Sequence, residues 1–263
     1  MNILSFPERK KRHEPIVMVT CYDYTMARIC AESEVDMLLV GDSAAMVMHG
    51  HANTLPIGVN EMATHVAAVK RGAPDKFIVA DLPFLAVRKG LPAAMEAVEA
   101  VMKAGAEAVK LEGIRGQQAL VSHIVESGVP VMGHLGLTPQ SVNQLGGFRV
   151  QGRSENERRR LRREARACQD AGCFALVLEC VPEDLAADIT QALEIVTIGI
   201  GAGDRTDGQV LVLHDLLGLI TGFKPKFVRN YLDGHGLVLK ALNHYAADVR
   251  SGAFPAPEER YAG

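Results

Sequence analysis

The segment EAVKLEGIRGQQALVSHIVESGVPVMGHLG (107–136) contains the alternation on which the fold of this protein depends. Its first part, EAVKLEG (107–113), and its last part, VPVMGHLG (129–136), are short apolar runs with the length and residue types of buried strands. Between them, GQQALVSHIVESG (116–128) has helical periodicity and ends at a glycine suited to a helix C-cap. The segment therefore predicts a strand, a helix and a second strand.

The first of these strands carries two charged residues in an otherwise apolar run. Side chains alternate between the two faces of a strand, so Lys110 and Glu112 point to the same face and their apolar neighbours point to the other. A solvated edge strand would show the same pattern, since Lys and Glu are rarely buried without a partner. Whether the charged face of this strand meets water or forms part of a functional site depends on the rest of the chain.

Similar apolar runs recur on both sides of this segment. They are rich in Val, Ile and Leu and comprise PIVMVTC (15–21), DMLLVGDS (36–43), KFIVADLP (76–83), CFALVLEC (173–180) and EIVTIGIGAG (194–203). Further segments have helical periodicity and helix-ending residues: PAAMEAVEAVMKAG (92–105), ENERRRLRREARACQDAG (155–172) and PEDLAADITQALE (182–194). Continuously apolar strands that alternate with helices predict a parallel sheet covered by those helices, and seven such units indicate a (β/α)8 TIM barrel.

The sequence leaves two features undecided: the position of the eighth strand and the choice between a barrel and a doubly wound sheet. The eighth strand fits either GQVLVLHD (208–215) or PKFVRNY (225–231). A doubly wound sheet would also alternate strands and helices, but no G-x-G-x-x-G follows the first strand, and GIGAG (199–203) fits a tight turn leaving the seventh. We predict a single barrel domain over residues 1–263, with a short N-terminal extension and a C-terminal tail.

The composition of the 263-residue chain is that of a globular protein, with 48% hydrophobic and 22% charged residues. A formal net charge of −3 gives no reason to expect nucleic acid or an anionic membrane as a partner, and the basic run ERRRLRREAR (157–166) fits a solvated helix face. The five cysteines are odd in number and lack C-x-x-C spacing, which argues against a disulfide framework or a structural zinc site. Since no signal-like or membrane-spanning segment occurs, we expect a cytoplasmic protein.

Polar residues of the predicted strands are concentrated at the carboxyl ends. In a parallel barrel these ends open on one rim, where barrel enzymes place their active sites. Taken alone, each residue has a structural explanation, such as a helix cap for Asp42, the Asp-Leu-Pro turn for Asp81 or a core position for His134. Their common position favours one shared site, formed by Asp42, Ser43, Asp81, Lys110, Glu112, His134 and Glu179.

The residue types in this site favour enolate chemistry on a 2-oxo acid. The hard oxygen ligands that Mg²⁺ prefers are Asp42, Asp81 and Glu112. A metal there would polarise a keto group, so that the neighbouring C–H ionises more easily. Glu179 follows an apolar strand, where partial desolvation would make a carboxylate a better base. Lys110 and His134 are suited to hold the oxyanion or the carboxylate of the substrate.

Seven blocks along the chain resemble the signature blocks of the ketopantoate hydroxymethyltransferase family. They are VGDSAAMVMHGHANTLP (40–56), ADLPF (80–84), VKLEG (109–113), GHLGLTPQSVNQLGGFRVQGR (133–153), LVLECVP (176–182), IGIGAGDRTDGQVLVLHDLLG (198–218) and KPKFVRNY (224–231). The similarity runs from about residue 15 to residue 254. Several long blocks in the same order are more specific than any single short motif.

The resemblance implies a barrel of the phosphoenolpyruvate/pyruvate class, assembled as a homo-oligomer that is typically a decamer. It also implies transfer of a hydroxymethyl group from the co-substrate 5,10-methylenetetrahydrofolate to 3-methyl-2-oxobutanoate, which gives 2-dehydropantoate on the route to pantothenate and coenzyme A. Matched position by position, the Mg²⁺ ligands of the family correspond to Asp42, Asp81 and Glu112, and its proton acceptor to Glu179. The residues that would contact or line the pocket of the 2-oxo acid are Asp42, Ser43, Asp81, Lys110 and His134.

The chain departs from the usual pattern of that family at three positions. Ala44 and Ala45 stand where a Leu-Gly pair is usual, and Ala52 stands where an acidic residue is common. If the loop around Ala52 covers the substrate, folate binding or loop closure would change while the metal chemistry survives.

Three other functions share some of these features. A related metal-dependent lyase or mutase acting on another 2-oxo acid would use the same carboxylates. A Schiff-base aldolase would use Lys110 as its nucleophile. A non-catalytic oligomeric binding protein would keep the fold, but it is expected to have lost a metal ligand or the base, and this sequence retains all of them.

Overall fold

A computed structural model describes residues 2–222 and 224–261 of the chain. Eight parallel strands close into a barrel in which the last strand pairs with the first. In chain order the strands are β1 Ile16–Thr20, β2 Met37–Val40, β3 Phe77–Asp81, β4 Ala108–Glu112, β5 Val131–Gly136, β6 Ala175–Glu179, β7 Val196–Ile200 and β8 Gly208–Leu211. The predicted (β/α)8 TIM barrel is therefore confirmed.

Helices alternate with these strands. They are α1 Ser5–Lys11, α2 Tyr24–Glu32, α3 Ala44–Val47, α4 Val59–Gly72, α5 Leu91–Lys103, α6 Gln118–Glu126, α7 Val142–Leu145, α8 Glu155–Asp170, α9 Glu183–Ala192, α10 Leu213–Leu216 and α11 Gly234–Ser251, with 3₁₀ turns at Pro139–Ser141 and Pro257–Glu259. The chain divides into two compact units, Met1–Val212, which contains the barrel, and Leu213–Gly263, which contains α10 and α11. That the whole chain is one domain stays a prediction.

The charged strand lies inside the barrel wall. β4 pairs with β3 on one side and β5 on the other, and Lys110 is buried. A closed barrel has no edge strand, so the alternative of a solvated edge strand is wrong for this segment. The strand instead places its charged side chains beside polar residues of the neighbouring strands, Asp81 of β3 and His134 of β5.

The eighth strand forms from the first of the two candidate segments. β8 lies within 208–215 and pairs with β1 and β7, whereas residues 225–231 contain no strand. The glycine cluster forms the turn that leaves β7, where Gly201 and Gly203 have φ angles of +63° and +80°. Such backbone angles favour glycine, which explains the cluster without a phosphate site.

The short helix α1 closes the amino end of the barrel. Its Phe6 is fully buried, and the Phe6 ring centroid lies 5.2 Å from both Phe77, at the start of β3, and Phe174, which precedes β6. From the sequence, this region was predicted only as an N-terminal extension. Because apolar side chains fill the amino end, the carboxyl ends of the strands are left to form a polar site.

The basic run predicted as a helix face lies in α8. Ser154 and Glu157 form a capping box at the start of this helix. Arg158 and Arg162 then pair with acidic side chains of α9, Asp184 and Asp188. Two of the basic residues are therefore balanced by acidic residues of the neighbouring helix.

The second unit contains α11, whose N-cap residue is Asp233. The Asp233 side chain accepts a hydrogen bond of 3.2 Å from the backbone N–H of Gly236 and so caps the helix. Among the helices of the described residues, none combines the length and the apolar character that crossing a membrane requires.

Candidate active site

An ion pair between two neighbouring strands forms the centre of the site. The register places Asp81 at the end of β3 beside Lys110 of β4, and Lys110 Nζ donates a hydrogen bond to Asp81 Oδ1. The other oxygen, Asp81 Oδ2, accepts a hydrogen bond of 3.1 Å from the backbone N–H of Asp42, which follows β2. The side chains of Lys110 and Asp81 are only 5% and 3% exposed, so they compensate each other's charge with little help from water.

Negative charge exceeds positive charge around Asp42. Desolvation by burial, together with the carboxylates of Asp81 and Glu112, raises the pKa of Asp42 to about 8. Lys110 and a hydrogen bond from Gln140 act in the opposite direction and limit this rise. Burial lowers the pKa of Lys110, but the three carboxylates outweigh it and hold that pKa above its usual range. Three carboxylates around one ammonium group favour the binding of an additional cation.

His134 connects this cluster to Glu179. It lies in β5, where the register places it beside Glu112 of β4. Its Nδ1 lies 3.5 Å from Glu112 Oε1 and its Nε2 lies 3.2 Å from Glu179 Oε2, although neither pair has the alignment of a full hydrogen bond. Burial and Lys110 lower the pKa of His134, but the two carboxylates outweigh them and raise it to about 9. The imidazole is therefore protonated at neutral pH.

Ser43 joins the site through Tyr22. The Oγ of Ser43 lies 2.8 Å from the hydroxyl of Tyr22, a buried side chain near the end of β1. Burial raises the pKa of Tyr22, and the hydrogen bond with Ser43 only partly offsets this effect. A β-carbon placed on Gly41 would lie 2.8 Å from Ser43 Oγ and 3.5 Å from Asp81 Oδ2, which shows how closely these side chains approach. The seven residues predicted from sequence thus form one connected cluster, while their individual roles stay predictions.

Gln140 is a site residue that the sequence reasoning did not single out. It lies in the 3₁₀ turn after β5, and its Nε2 donates hydrogen bonds to Asp42 Oδ2 at 2.8 Å and to the Leu82 carbonyl at 3.0 Å. Its backbone N–H donates to Glu112 Oε2 at 3.0 Å. The only signal in the sequence was its place in the long block 133–153, just beyond the end of a strand.

The donor set fits Mg²⁺, although the side chains do not form a closed metal cage. Within residues 2–222 and 224–261, no three His, Cys, Asp or Glu side chains are arranged to hold a metal ion by themselves. Mg²⁺ keeps several waters and is often held by only one or two carboxylates, so it does not require such a cage. Glu112 Oε1 is buried and accepts no hydrogen bond, which leaves an anionic oxygen for a cation. The third expected ligand, Asp81, uses both oxygens in hydrogen bonds.

Close backbone packing fixes Glu179 at the end of β6. Its carbonyl accepts a hydrogen bond of 2.8 Å from the N–H of Leu137. Gly136 has a φ of +97°, and a β-carbon there would lie 2.2 Å from the Glu179 carbonyl oxygen, so only glycine fits. Cys180 has a φ of +47°, a strained value for a residue with a side chain. The Glu179 side chain is 17% exposed, so its carboxylate is largely desolvated and still accessible.

The three departures from the family pattern occupy two environments. Ala44 and Ala45 are fully buried in the short helix α3 directly after Asp42 and Ser43. Ala52 is exposed in the loop between α3 and α4. A change at Ala44 or Ala45 therefore affects buried packing next to Ser43. A longer side chain at position 52 would extend into solvent.

The fold and the site together define a class of protein. A closed parallel barrel with a buried, charged cluster at the carboxyl ends of its strands is the architecture of a (β/α)8 barrel enzyme. Two of the solved structures that share this fold serve as examples. The first is 2,3-dimethylmalate lyase, a PEP mutase/isocitrate lyase superfamily member, with a TM-score of 0.62 and 15% sequence identity over 99% of this chain and 91% of that one. The second is phosphonopyruvate hydrolase in complex with oxalate and Mg²⁺, with a TM-score of 0.64 and 10% sequence identity over 98% of this chain and 93% of that one. At these identities the likeness shows the fold alone.

Comparison with protein families is more specific. The model of the family described as Ketopantoate hydroxymethyltransferase matches residues 1–257. A 3-methyl-2-oxobutanoate hydroxymethyltransferase of Bdellovibrio bacteriovorus is 60% identical over 99% of this chain and 99% of its own length, and one of Coxiella burnetii is 52% identical over 97% and 96%. The chain therefore belongs to the ketopantoate hydroxymethyltransferase family and is an enzyme of the transferase class.

Proposed function

We propose that this protein transfers a hydroxymethyl group from 5,10-methylenetetrahydrofolate to 3-methyl-2-oxobutanoate with Mg²⁺ as its cofactor. With one water consumed, the products are 2-dehydropantoate, for pantothenate and coenzyme A synthesis, and tetrahydrofolate. The names of the two relatives support the acceptor and the transferred group. The observation that carries the proposal is the arrangement around His134. The buried cluster that favours a cation lies on one side of this residue, and the separate carboxylate of Glu179 lies on the other.

Asp42 and Glu112, with Asp81 beside them, would hold the Mg²⁺. When bound, Mg²⁺ supplies a Lewis acid that draws electron density from the keto oxygen of the acceptor and so makes the C3–H bond more acidic. The complex of phosphonopyruvate hydrolase with oxalate and Mg²⁺ is consistent with such a site on this fold.

The protein's own groups would then carry the proton and the charge. Glu179 takes the proton from C3 onto a carboxylate oxygen, and the C–H electron pair becomes the C2–C3 double bond of an enolate. The imidazolium of His134, 3.2 Å from Glu179 Oε2, orients that carboxylate. Lys110 neutralises charge on the bound acceptor, since the surrounding carboxylates keep its amine protonated. C3 of the enolate finally forms a bond to the methylene carbon of the folate, and both bonds from that carbon to the folate nitrogens break. The consumed water supplies the hydroxyl oxygen, and its two protons and the one taken from C3 end on the hydroxyl group and the two nitrogens of tetrahydrofolate.

The structure and the family match weigh against the alternative functions. A Schiff base needs a neutral amine, but Lys110 is ion-paired with Asp81 and its pKa is held above the usual range. A lyase or mutase of the same barrel class is less favoured because relatives at 60% and 52% identity carry the transferase name. A non-catalytic protein is less favoured because the candidate base and metal ligands are retained and lie together.

We also propose a cytoplasmic homo-oligomer, a decamer, without a nucleic acid or membrane partner. The support for this assembly is the family resemblance. Light scattering coupled to size exclusion tests it, because a decamer has about ten times the chain mass of 28.3 kDa. A mass of one or two chains would contradict it.

The proposed reaction is tested by mixing purified protein with 3-methyl-2-oxobutanoate, 5,10-methylenetetrahydrofolate and Mg²⁺. Mass spectrometry should detect 2-dehydropantoate only when all three components are present. If the product forms without the folate, the proposal that 5,10-methylenetetrahydrofolate is the donor is wrong. Conversion of a different 2-oxo acid, with no conversion of 3-methyl-2-oxobutanoate, would favour the lyase or mutase alternative.

A further inference from the structure

We propose that Gln140 is a positioning residue for the cation site, which holds the carboxylates of Asp42 and Glu112 in the arrangement that binds the metal. This inference rests on the proposed function, because the cation is part of it. Gln140 need not contact the substrate to act in this way.

The contacts of Gln140 connect three strand ends. Its side-chain amide donates one hydrogen bond to Asp42, after β2, and one to the carbonyl of Leu82, after β3. An amide NH₂ has two donor hydrogens, so both are used. Its backbone N–H donates to Glu112, the last residue of β4. One residue from the loop after β5 therefore ties together the ends of β2, β3 and β4.

The local backbone explains why the N–H of Gln140 is available. Pro139 begins the 3₁₀ turn, and the N–H of Ser141 bonds to the Thr138 carbonyl at 2.8 Å. The N–H groups at the start of such a turn have no partner within it, so that of Gln140 is free for Glu112. The start of the same loop is fixed by the hydrogen bond from Leu137 to the Glu179 carbonyl. The position of the loop that carries Gln140 to the proposed metal ligands is therefore fixed at its start.

The neutrality of the amide matters for binding a cation. Asp42 and Glu112 repel each other when both are ionised, and a donor that touches both limits their separation. Gln140 does this without a positive charge, so it adds no repulsion against a metal. It also engages only Oδ2 of Asp42 and Oε2 of Glu112, and Glu112 Oε1 stays without a hydrogen bond. Outer groups that orient ligands in this way commonly account for 10–100-fold in metal affinity.

The test measures metal affinity without substrate or turnover. Gln140→Met keeps the length of the side chain and removes both donors, and Gln140→Asn keeps the amide but is too short to reach Asp42. Gln144→Met is the matched control, because Gln144 lies exposed in α7 of the same loop. Electron paramagnetic resonance of free Mn²⁺ gives the affinity, and circular dichroism verifies the fold. We expect about 10–100-fold weaker binding for both Gln140 variants and less than twofold change for Gln144→Met.

The variant Asp42→Asn distinguishes a failure of the proposed role of Gln140 from a failure of the proposed metal site. If wild-type protein binds Mn²⁺, Asp42→Asn weakens that binding and folded Gln140→Met binds like wild type, the role of Gln140 is overturned and the metal site stands. An equal loss in Gln144→Met would also overturn it, because the effect would then belong to the whole loop. If wild-type protein binds no Mn²⁺, both the inference and the proposed metal site are overturned.

Discussion

Replacing Lys110 with Met tests whether the buried ion pair is the centre of the site. Lys110→Met keeps an apolar side chain in β4 and removes the ammonium group. It leaves Asp81 Oδ1 without its donor and removes the positive charge that lies among the carboxyl groups of Asp42, Asp81 and Glu112. The imidazolium of His134 does not replace the ammonium, because it already lies against Glu112 and Glu179.

The expected loss of stability follows from the burial of this pair. Opposite unit charges 4 Å apart attract by about 4 kcal/mol at an effective dielectric constant of about 20. Removing one partner of a buried pair typically costs about 3–5 kcal/mol, because a buried charge is left uncompensated. Since Lys110 and Asp81 are 5% and 3% exposed, we expect a loss within that range. Asp81→Asn in the Lys110→Met background should recover part of it by removing the uncompensated charge.

Urea unfolding at fixed protein concentration, in EDTA at neutral pH, measures this loss. Lys103→Met is the control, since Lys103 pairs with Glu99 on the exposed surface of α5 and its removal should leave the urea midpoint unchanged. A loss below about 1 kcal/mol for Lys110→Met would refute the reasoning. Failure of Asp81→Asn to recover any stability would refute it equally.

Three further predictions concern the backbone, the departure at the loop and the titrating groups. Gly136→Ala should cost more than about 1 kcal/mol in urea unfolding and lower turnover, because its β-carbon meets the Glu179 carbonyl at 2.2 Å; wild-type behaviour would contradict this. Ala52→Asp should change KM for the folate more than kcat in steady-state kinetics, and an unchanged KM would argue against a folate-covering loop. Metal-free stability should fall from about pH 4 to about pH 9. In the folded protein Asp42 keeps its proton up to about pH 8, and His134 stays protonated up to about pH 9. Both therefore bind protons more strongly than in the unfolded chain, so a urea midpoint that rises with pH in EDTA would contradict this.

The strands, and the position of the seven candidate residues near the strand ends, were predictable because their signals are local. Continuous apolar runs identify barrel strands, and the two-residue period places Lys110 and Glu112 on one face. The choice between the two candidates for β8 was not local, since both segments contain an apolar stretch and pairing with β1 selects 208–215. The register of the paired strands then places Asp81 next to Lys110 and Glu112 next to His134.

Residues whose roles depend on the path of a loop or a terminal segment escaped prediction. Gln140 reaches Asp42 only because the loop after β5 returns over the barrel, and a single polar residue in a loop carries no periodic signal. Tyr22 and Phe6 likewise gain their roles from distant partners, Ser43 for the former and Phe77 for the latter. Such contacts arise from tertiary packing rather than from the pattern of nearby residues.

The central claim, that Glu179 ionises C3 of a 2-oxo acid at a metal-dependent site, is tested most directly by proton exchange. Proton NMR of 3-methyl-2-oxobutanoate in D₂O, with protein and Mg²⁺ and without folate, follows the loss of the C3 signal. We predict exchange that stops in EDTA and in Glu179→Gln. Undiminished exchange in folded Glu179→Gln, or no exchange by metal-loaded wild-type protein, would contradict it.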